Sequence, residues 1–177
     1  MSYQPVWIDG RQVRPGRRDS DSRYRAIADH LAGRTGFTVL DFGAYIGYFS
    51  RRLVEDFGAR CLAVDNCSTL EHSPGVEILK RRLTPSEVRG LGTFDVALCL
   101  SVLHHVEQWR EMLDALLAAA PTVFIETANP DEVLPKASQH QHSAAIHAAV
   151  EATGARVLTY TPGYDANYQR PLWVVEC

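Results

Sequence analysis

Short apolar runs rich in β-branched residues alternate along the chain with segments of helical periodicity. The apolar runs, which predict seven strands, lie at 37–41, 60–64, 76–79, 94–100, 122–126, 156–160 and 172–176. The segments with helical spacing lie at about 19–31, 47–56, 107–119 and 138–153, with a short helix after Thr84. Because strands alternate with helices, the pattern predicts right-handed crossovers and a mostly parallel, doubly wound α/β sheet.

The two ends of the chain depart from this alternation. Only residues 161–171 separate the last two strands, which is too short for a helical crossover, so we expect the final strand to run antiparallel. The fold class predicted is therefore a single-domain, seven-stranded, mostly parallel sheet with an antiparallel last strand. Residues 1–19 are rich in Arg, Pro and Gly, and we expect them to form an N-terminal arm or lid with little regular structure before the domain at 20–177.

Composition narrows the class without identifying a function. The 177 residues are 46% hydrophobic and 22% charged, as expected for one globular domain. The net charge of −3 provides no global attraction to nucleic acid, and neither a membrane-spanning run nor a signal-peptide core is expected. The four cysteines form no Cys-x-x-Cys pair, which favours reduced thiols and a cytoplasmic location.

The segment with the strongest chemical signal is 39–50, in which a buried strand ends in a glycine turn and leads into a helix. Gly43 permits a sharp turn, and Gly47 permits close packing at the start of the helix. Such a corner presents backbone N–H groups to a ligand, as in nucleotide-binding sheets. Asp65 ends the next strand, 24 residues after Asp41, where a carboxylate can accept two ribose hydroxyls. The alternative is that Asp65 only begins a turn with Asn66.

Together these segments resemble the class I S-adenosylmethionine (SAM) dependent methyltransferases, over about residues 20–177. The resemblance is carried by the glycine loop Asp41–Gly47, by Asp65, by the strand and loop at 94–106, and by the final antiparallel strand. It implies a Rossmann-like fold with SAM as the cofactor. The residues it implies for cofactor binding are Asp41, Gly43, Ala44, Tyr45, Gly47, Tyr48, Phe49, Asp65, Asn66, Ser101, Val102 and Leu103.

The chain departs from the family pattern at two points. Tyr45 occupies a place where the family often has a third glycine, so either the loop bends differently or Tyr45 points outward. The region after the third strand reads Lys80–Arg82 where the family often has an acidic residue for the adenine amine. Adenine recognition is therefore expected from backbone groups or apolar contacts.

A methyl acceptor with a hydroxyl group needs a base, and two segments offer one. His104 and His105 follow the fourth strand, and either can act as a general base or orient the loop; we favour His105. Glu126, which ends the fifth strand, is a second candidate, with a loop cap as the alternative. Polar residues of the 161–171 loop either shape acceptor choice or form an exposed hairpin; they are Tyr164, Asp165, Asn167 and Tyr168.

Other charged and metal-binding residue types have more than one interpretation. The N-terminal arginines either form a solvated arm or dock RNA; they are Arg11, Arg14, Arg17, Arg18, Arg23 and Arg25. Arg25 or Arg23 can also clamp the SAM carboxylate. The chain lacks the Asn/Asp-Pro-Pro-aromatic motif of DNA base methylases, so no DNA partner is expected. Histidines 140, 142 and 147 have poor spacing for one metal, so no metal site is expected.

The interpretation favoured by the sequence is a SAM-dependent methyltransferase that acts on a small or glycan-like acceptor, at oxygen. One alternative is the same chemistry on RNA or protein. Others are a nicotinamide-binding Rossmann oxidoreductase, disfavoured because the chain has no Tyr-x-x-x-Lys pair, and a non-catalytic SAM-binding protein.

Overall fold

A computed structural model describes residues 2–132, 137, 139–163 and 167–177. The chain divides into two compact units, residues 1–82 and 83–177. Together the units supply the seven strands of a mostly parallel α/β fold. The α/β class predicted from the sequence is thus confirmed.

The first unit combines a small hairpin with three parallel strands and two helices. Its elements are β1 (Val6–Ile8), β2 (Arg11–Arg14), α1 (Ser20–His30), β3 (Thr38–Phe42), α2 (Tyr48–Phe57), β4 (Arg60–Val64) and β5 (Val76–Leu79). β4 pairs in parallel with β3 on one side and with β5 on the other. The carboxyl ends of these strands therefore meet at one edge, where α/β sheets bind their ligands.

The second unit contains the remaining strands. Its elements are α3 (Pro85–Arg89), β6 (Val96–Leu100), a 3-10 helix (Leu103–His105), α4 (Trp109–Ala119), β7 (Thr122–Glu126), a second 3-10 helix (His140–His142), α5 (Ser143–Glu151), β8 (Arg156–Pro162) and β9 (Gln169–Glu176). β6 and β7 are parallel, whereas β9 runs antiparallel to both β7 and β8. The predicted antiparallel final strand is confirmed. The predicted start of the last helix at 138 lies outside the described residues.

The N-terminal residues are more regular than we expected. β1 and β2 form an antiparallel hairpin whose two-residue turn places Asp9 at φ 47° and Gly10 at φ 72°. Positive φ at both central residues defines a type I′ turn, and Asp-Gly is its typical sequence. The expectation of little regular structure was therefore wrong, because the turn chemistry of this dipeptide was overlooked. Whether this segment acts as a lid remains a prediction.

The hairpin is held to α2 by hydrogen bonds and cation–π contacts. The Trp7 indole N–H donates to Glu55 Oε2 at 2.6 Å. The Arg52 guanidinium lies 4.3 Å from the Trp7 ring centre and 3.7 Å from that of Tyr24. Each cation–π contact contributes about 0.5–2 kcal/mol, depending on how far the pair is shielded from water. The hairpin therefore has a defined position in the first unit.

None of the helices within the described ranges has both the length and the apolar character needed to cross a membrane.

Candidate functional site

The glycine loop after β3 is held against the end of β4. The backbone N–H groups of Gly43 and Ala44 both donate to the Val64 carbonyl, at 2.8 and 3.1 Å. Gly43 and Gly47 have φ values of 82° and 81°, which favour glycine over residues with a side chain. Gly47 precedes the first residue of α2 and provides no side-chain cap. The loop therefore delivers the N-terminus of α2 to the carboxyl edge of the strands, an arrangement suited to anions and polar ligand groups.

Asp65 holds this loop with one carboxylate oxygen and its own turn with the other. Its Oδ2 accepts from the Tyr45 N–H at 2.8 Å, and its Oδ1 accepts from the Cys67 N–H at 2.8 Å. The side chain is half-buried. Because each carboxylate oxygen has two lone pairs, one acceptor position on each oxygen remains available to a ribose hydroxyl. The two expectations for Asp65, a turn residue and a ribose acceptor, are therefore compatible.

Tyr45 takes the backbone conformation of a glycine. Its φ is 57°, in the left-handed region that costs a non-glycine residue about 1–2 kcal/mol. Its ring makes an edge contact with Tyr3, with 5.9 Å between the ring centres. The loop thus keeps a left-handed turn at the place where the family often has its third glycine, and the side chain packs against the N-terminal segment.

Asp41 lies beneath the loop and is almost fully buried, with 3% of its surface exposed. The Ser50 hydroxyl donates to its Oδ2 at 2.6 Å, which joins the end of β3 to α2. Burial raises the pKa of Asp41 from 3.8 to about 6, the Asp65 carboxylate adds to this effect, and the Ser50 hydrogen bond opposes it. Asp41 therefore supports the loop from within the core.

The first residues of α2 are also occupied by contacts within the first unit. The side chains of Tyr48 and Phe49 are buried, with 1% exposure each. The Tyr48 N–H donates to the side-chain oxygen of Gln4 at 3.4 Å. The cofactor role of Tyr48 and Phe49 stays a prediction, and the structure shows that both side chains are enclosed within the first unit. Asn66, by contrast, is exposed at the end of β4.

A buried polar network connects the ends of the strands in the second unit. The Ser101 hydroxyl donates to Glu126 Oε2, and the Thr161 hydroxyl donates to Glu126 Oε1 at 3.2 Å. Arg170 donates from NH1 to the Ser101 hydroxyl oxygen at 3.1 Å, and it donates from Nε and NH2 to the two oxygens of Glu132 at 2.6 and 2.7 Å. All five side chains are at most 8% exposed. We call this set the Arg170 network.

The network changes the interpretation of Glu126. The carboxylate is 1% exposed, and each of its oxygens accepts a hydroxyl hydrogen. In this structure the carboxylate contacts its neighbours Ser101 and Thr161, as expected for the alternative role of holding the loop after β6. The role of Glu126 as a second candidate base stays a prediction.

The two adjacent histidines have different surroundings. His104 is buried, with 4% exposure, and its carbonyl accepts from the Gln139 N–H at 3.0 Å. His105 is exposed, and its backbone N–H donates to the Val102 carbonyl at 2.8 Å within the 3-10 helix. The ring centres are 4.5 Å apart. Of the two histidines, His105 has the exposed side chain that a methyl acceptor could reach.

The N-terminal arginines do not form one exposed basic surface. Arg18 and Arg23 are buried, with 4% and 1% exposure. Arg23 donates to the Asp19 carbonyl and to the Ser20 hydroxyl, both at 3.0 Å. Arg25 is exposed and pairs with Asp21 at 2.7 Å. Because some of these arginines are buried, the structure weakens the RNA-docking alternative. Of the two arginines considered as a clamp for the SAM carboxylate, Arg25 lies at the surface in an ion pair with Asp21.

Other predicted features are only partly described. Tyr164 and Asp165 lie outside the described residues. The Tyr168 carbonyl accepts from the Gly163 N–H at 2.7 Å at the base of the β8–β9 hairpin. His147 contacts the Thr127 hydroxyl at 3.2 Å. Within the part of the chain that the structure describes, no three His, Cys, Asp or Glu side chains converge into a metal site.

Glu132, Thr161 and Arg170 were missed by the sequence analysis. One signal was present for Arg170, because a charged residue lies inside the otherwise apolar strand Gln169–Glu176. A charge in such a strand requires a partner, since an unpaired buried charge is strongly destabilising. The identity of the partner had no local signal, because Glu132 lies 38 residues away and Ser101 lies 69 residues away.

A mostly parallel α/β fold in which β3 leads through a glycine loop into α2, with an acidic residue at the end of β4 and an antiparallel β9, is typical of the class I methyltransferases. Residues 15–162 match the family described as "Methyltransferase domain", and the chain belongs to that family. Membership sets aside the nicotinamide oxidoreductase alternative.

The chain is also similar to a curated O-methyltransferase. The ubiquinone biosynthesis O-methyltransferase of Cronobacter sakazakii is 27% identical over 134 residues, which make up 70% of this chain and 55% of that protein. The chain thus spans about half the length of the curated relatives it matches.

Solved structures support the same fold at low identity. The bifunctional kinase-methyltransferase WbdD is 22% identical with a TM-score of 0.69, over 91% of this chain and 40% of that one. The N-terminal domain of EvdMO1, solved in the presence of SAH and D-fucose, is 19% identical with a TM-score of 0.66, over 99% of this chain and 91% of that one. At these identities the likeness concerns the fold alone.

Proposed function

We propose that this chain transfers a methyl group from SAM to a hydroxyl oxygen of a small or glycan-like acceptor. The observation that carries the proposal is the glycine loop. Its left-handed turn is fixed by a hydrogen bond that the Tyr45 N–H donates to the Asp65 carboxylate. A carboxylate that holds the loop and keeps two acceptor positions fits a ribose. Support for an oxygen acceptor comes from the curated relatives named as O-methyltransferases.

Within the first unit, the chain's residues would bind and orient the cofactor. Gly43 to Gly47 would lie beneath the methionine portion, and Asp65 would accept from the ribose hydroxyls. The adenine would meet backbone or apolar groups, because the region after β5 carries Lys80–Arg82 instead of an acid. SAM supplies a methyl group already activated by its sulfonium, so the enzyme's task is alignment and, for a hydroxyl acceptor, proton removal.

Within the second unit, the loop after β6 carries the residues proposed for chemistry. Ser101, Val102 and Leu103 keep the cofactor-flanking role implied by the family resemblance. His105 is proposed as the general base, because its side chain is exposed and imidazole is the side chain most often used for proton transfer in enzymes. His104 is buried next to it and would orient this segment.

We further propose a cytoplasmic location. All four cysteines lie in the described residues, and each is a thiol instead of half of a disulfide. Burial raises the pKa of the Cys61 thiol, so this group stays protonated. Such cysteines suit a reducing compartment.

Calorimetric titration with S-adenosylhomocysteine (SAH) tests the cofactor half of the proposal, with NAD as the control ligand. We expect selective binding of SAH. If SAH binds, a panel of phenols, catechols, sugars and RNA or protein substrates with radiolabelled SAM identifies the acceptor. Transfer to a small hydroxyl compound supports the proposal, and transfer to RNA or protein alone overturns the acceptor class. Binding without any transfer favours a non-catalytic SAM-binding protein, and no binding refutes the cofactor assignment.

A further inference from the structure

The hydrogen bonds of the Arg170 network can run in only one direction. A guanidinium has donors and no acceptor, whereas an ionised carboxylate has acceptors and no donor. The Ser101 hydroxyl lies between them, accepting from Arg170 at 3.1 Å and donating to Glu126. Its hydrogen therefore has one orientation, and reversal would set it against the Arg170 donor. The charges at both ends strengthen the chain of bonds.

Ser101 also has a strained backbone. Its φ is 62°, although serine has a side chain and the residue directly follows β6. A left-handed conformation at a non-glycine residue persists where surrounding contacts over-determine it, and such residues cluster at functional sites. Here the contacts are the two side-chain bonds and a backbone bond from the Ser101 N–H to the Glu126 carbonyl at 3.0 Å.

The backbone conformation of Ser101 determines where the next segment, Val102 and the 3-10 helix, begins. Val102 leads directly into the 3-10 helix Leu103–His105, which carries the proposed base. The His105 and Val106 amides close this turn, donating to the Val102 and Leu103 carbonyls at 2.8 and 3.0 Å. A change in the backbone of Ser101 would therefore be transmitted to every residue of the turn.

Glu132 fixes the other side of Arg170. The two side chains form a bidentate pair and are 3% and 2% exposed. Gly163 leaves the space that Glu132 occupies, because a Cβ atom there would lie 2.7 Å from Glu132 Oε1. The Arg170 guanidinium is thereby held in one position, with NH1 directed at Ser101.

We propose that Arg170 and Glu132 are positioning residues for the loop 101–105, acting through the Ser101 hydroxyl. The pair holds the loop in the one backbone arrangement that cofactor binding and methyl transfer require. This inference rests on the function proposed above for the same loop. It assigns the two residues no contact with the reacting atoms.

The decisive variant replaces the charged pair by apolar residues of similar size, Arg170→Met with Glu132→Leu. Such replacements of buried ion pairs often preserve folding stability, whereas removal of one partner leaves the other as an unpaired buried charge. We expect an unchanged melting temperature within a few degrees. Hydrogen exchange of the His105 and Val106 amides should be about tenfold faster, with strand β6 still protected. SAH affinity should fall about tenfold or more, since bonds from a charged donor are lost.

Two further variants separate positioning from simple stability. Arg170→Lys keeps a positive charge beside Glu132 but cannot form the planar fork that reaches Ser101 as well. It should keep most of the stability and still show fast exchange in the loop. Arg156→Met, an exposed arginine of the same hairpin, is the matched control and should behave like the wild type.

The outcomes distinguish this inference from the proposed function. Unchanged exchange at His105 and Val106 in a stable double variant overturns the positioning role, whatever SAH does. Fast hydrogen exchange at His105 and Val106 together with full SAH affinity and full turnover overturns the claim that cofactor binding and methyl transfer require this loop position. If wild-type protein binds no SAH, the cofactor assignment fails, while the exchange measurement still decides whether the pair positions the loop.

Discussion

The backbone N–H of Tyr45 donates to the Asp65 carboxylate at 2.8 Å, so the acidic residue that ends one strand fixes the loop that follows its neighbour. One side chain thereby controls both the shape of the loop and the acceptor positions offered to a ligand. Loss of this carboxylate should affect binding more than folding, because the bonds lie at the edge of the strands.

Asp65→Ala should weaken SAH binding strongly. The change removes the acceptor for Tyr45 and both proposed ribose contacts, and charge-assisted hydrogen bonds contribute about 1.5–3 kcal/mol each. Calorimetric titration measures the loss. Asp29→Asn, an exposed acidic residue of α1, serves as the control and should bind SAH normally. Equal affinities for wild type and Asp65→Ala would refute the ribose assignment.

Tyr45→Gly should leave the free energy of unfolding within about 1 kcal/mol of the wild type. Glycine relieves the left-handed strain at φ 57°, but it loses the Tyr3 contact and gains entropy in the unfolded state. Tyr45→Val should destabilise by about 2 kcal/mol, because a β-branched residue is poorly tolerated at this φ. Urea denaturation compares the two. SAH binding should survive in Tyr45→Gly, and its abolition would mean that the ring itself is needed.

Asp41 should make the protein less stable as pH rises from about 4 to 6. Its pKa is about 6 in the folded protein against an ordinary 3.8, so the unfolded chain loses this proton first. Well below pH 3.8, the ordinary pKa, the carboxyl is protonated in both states and has no effect. Above pH 6 the full cost of about 3 kcal/mol applies.

Asp41→Asn tests this linkage, because the amide oxygen can still accept from Ser50 and carries no charge. Denaturant unfolding at pH 4, 5, 6 and 7 should show the variant gaining on the wild type by about 3 kcal/mol across the range. A constant difference between the two proteins at all four pH values would contradict the raised pKa.

His105→Ala and His104→Ala should fail in different ways. If His105 is the general base, its removal cuts turnover by about 10²–10⁴-fold with SAH affinity nearly intact, and the acidic limb of the pH–rate profile disappears. Removal of the buried His104 should instead lower stability by about 1–3 kcal/mol. Equal losses of turnover and SAH affinity in His105→Ala would indicate a structural role.

Gly16→Ala should release the N-terminal segment. A Cβ atom at Gly16 would lie 2.4 Å from the Pro5 nitrogen, so the backbone of residues 2–5 must shift. Trypsin cleavage after Arg11 should become about tenfold faster at a temperature where the rest of the chain stays folded. Gln12→Ala, an exposed change on β2, is the control, and identical cleavage of both variants would show that the close approach does not hold the segment.

Elements with strong local signals were predictable from the sequence. The strands Arg60–Val64, Val76–Leu79 and Thr122–Glu126 match their predicted bounds, because each is an apolar run bounded by turn or polar residues. The capping box of α3, formed by Thr84 and Glu87, was equally visible. The β1–β2 hairpin was also encoded locally, in the turn dipeptide Asp9-Gly10 that follows the apolar Val6–Ile8.

The interior of the second unit could not be predicted in the same way. The two side-chain partners described for Arg170, Ser101 and Glu132, come from separate parts of the chain, and no spacing rule relates them. Likewise, the sequence favoured His105 over His104 only slightly, whereas burial separates the two side chains clearly. Such distinctions depend on tertiary packing, which overrides the local pattern.

The absent side chain at Gly163 has an evolutionary consequence. Because its Cβ would lie 2.7 Å from Glu132 Oε1, a residue with a side chain at 163 would force the Glu132 carboxylate away from its position against Arg170. Among homologues, a larger residue at 163 should therefore accompany a shorter one at 132, and an aspartate there would leave Arg170 out of reach. An alignment deep enough to reveal covariation should show these two positions, 31 residues apart, as a coupled pair.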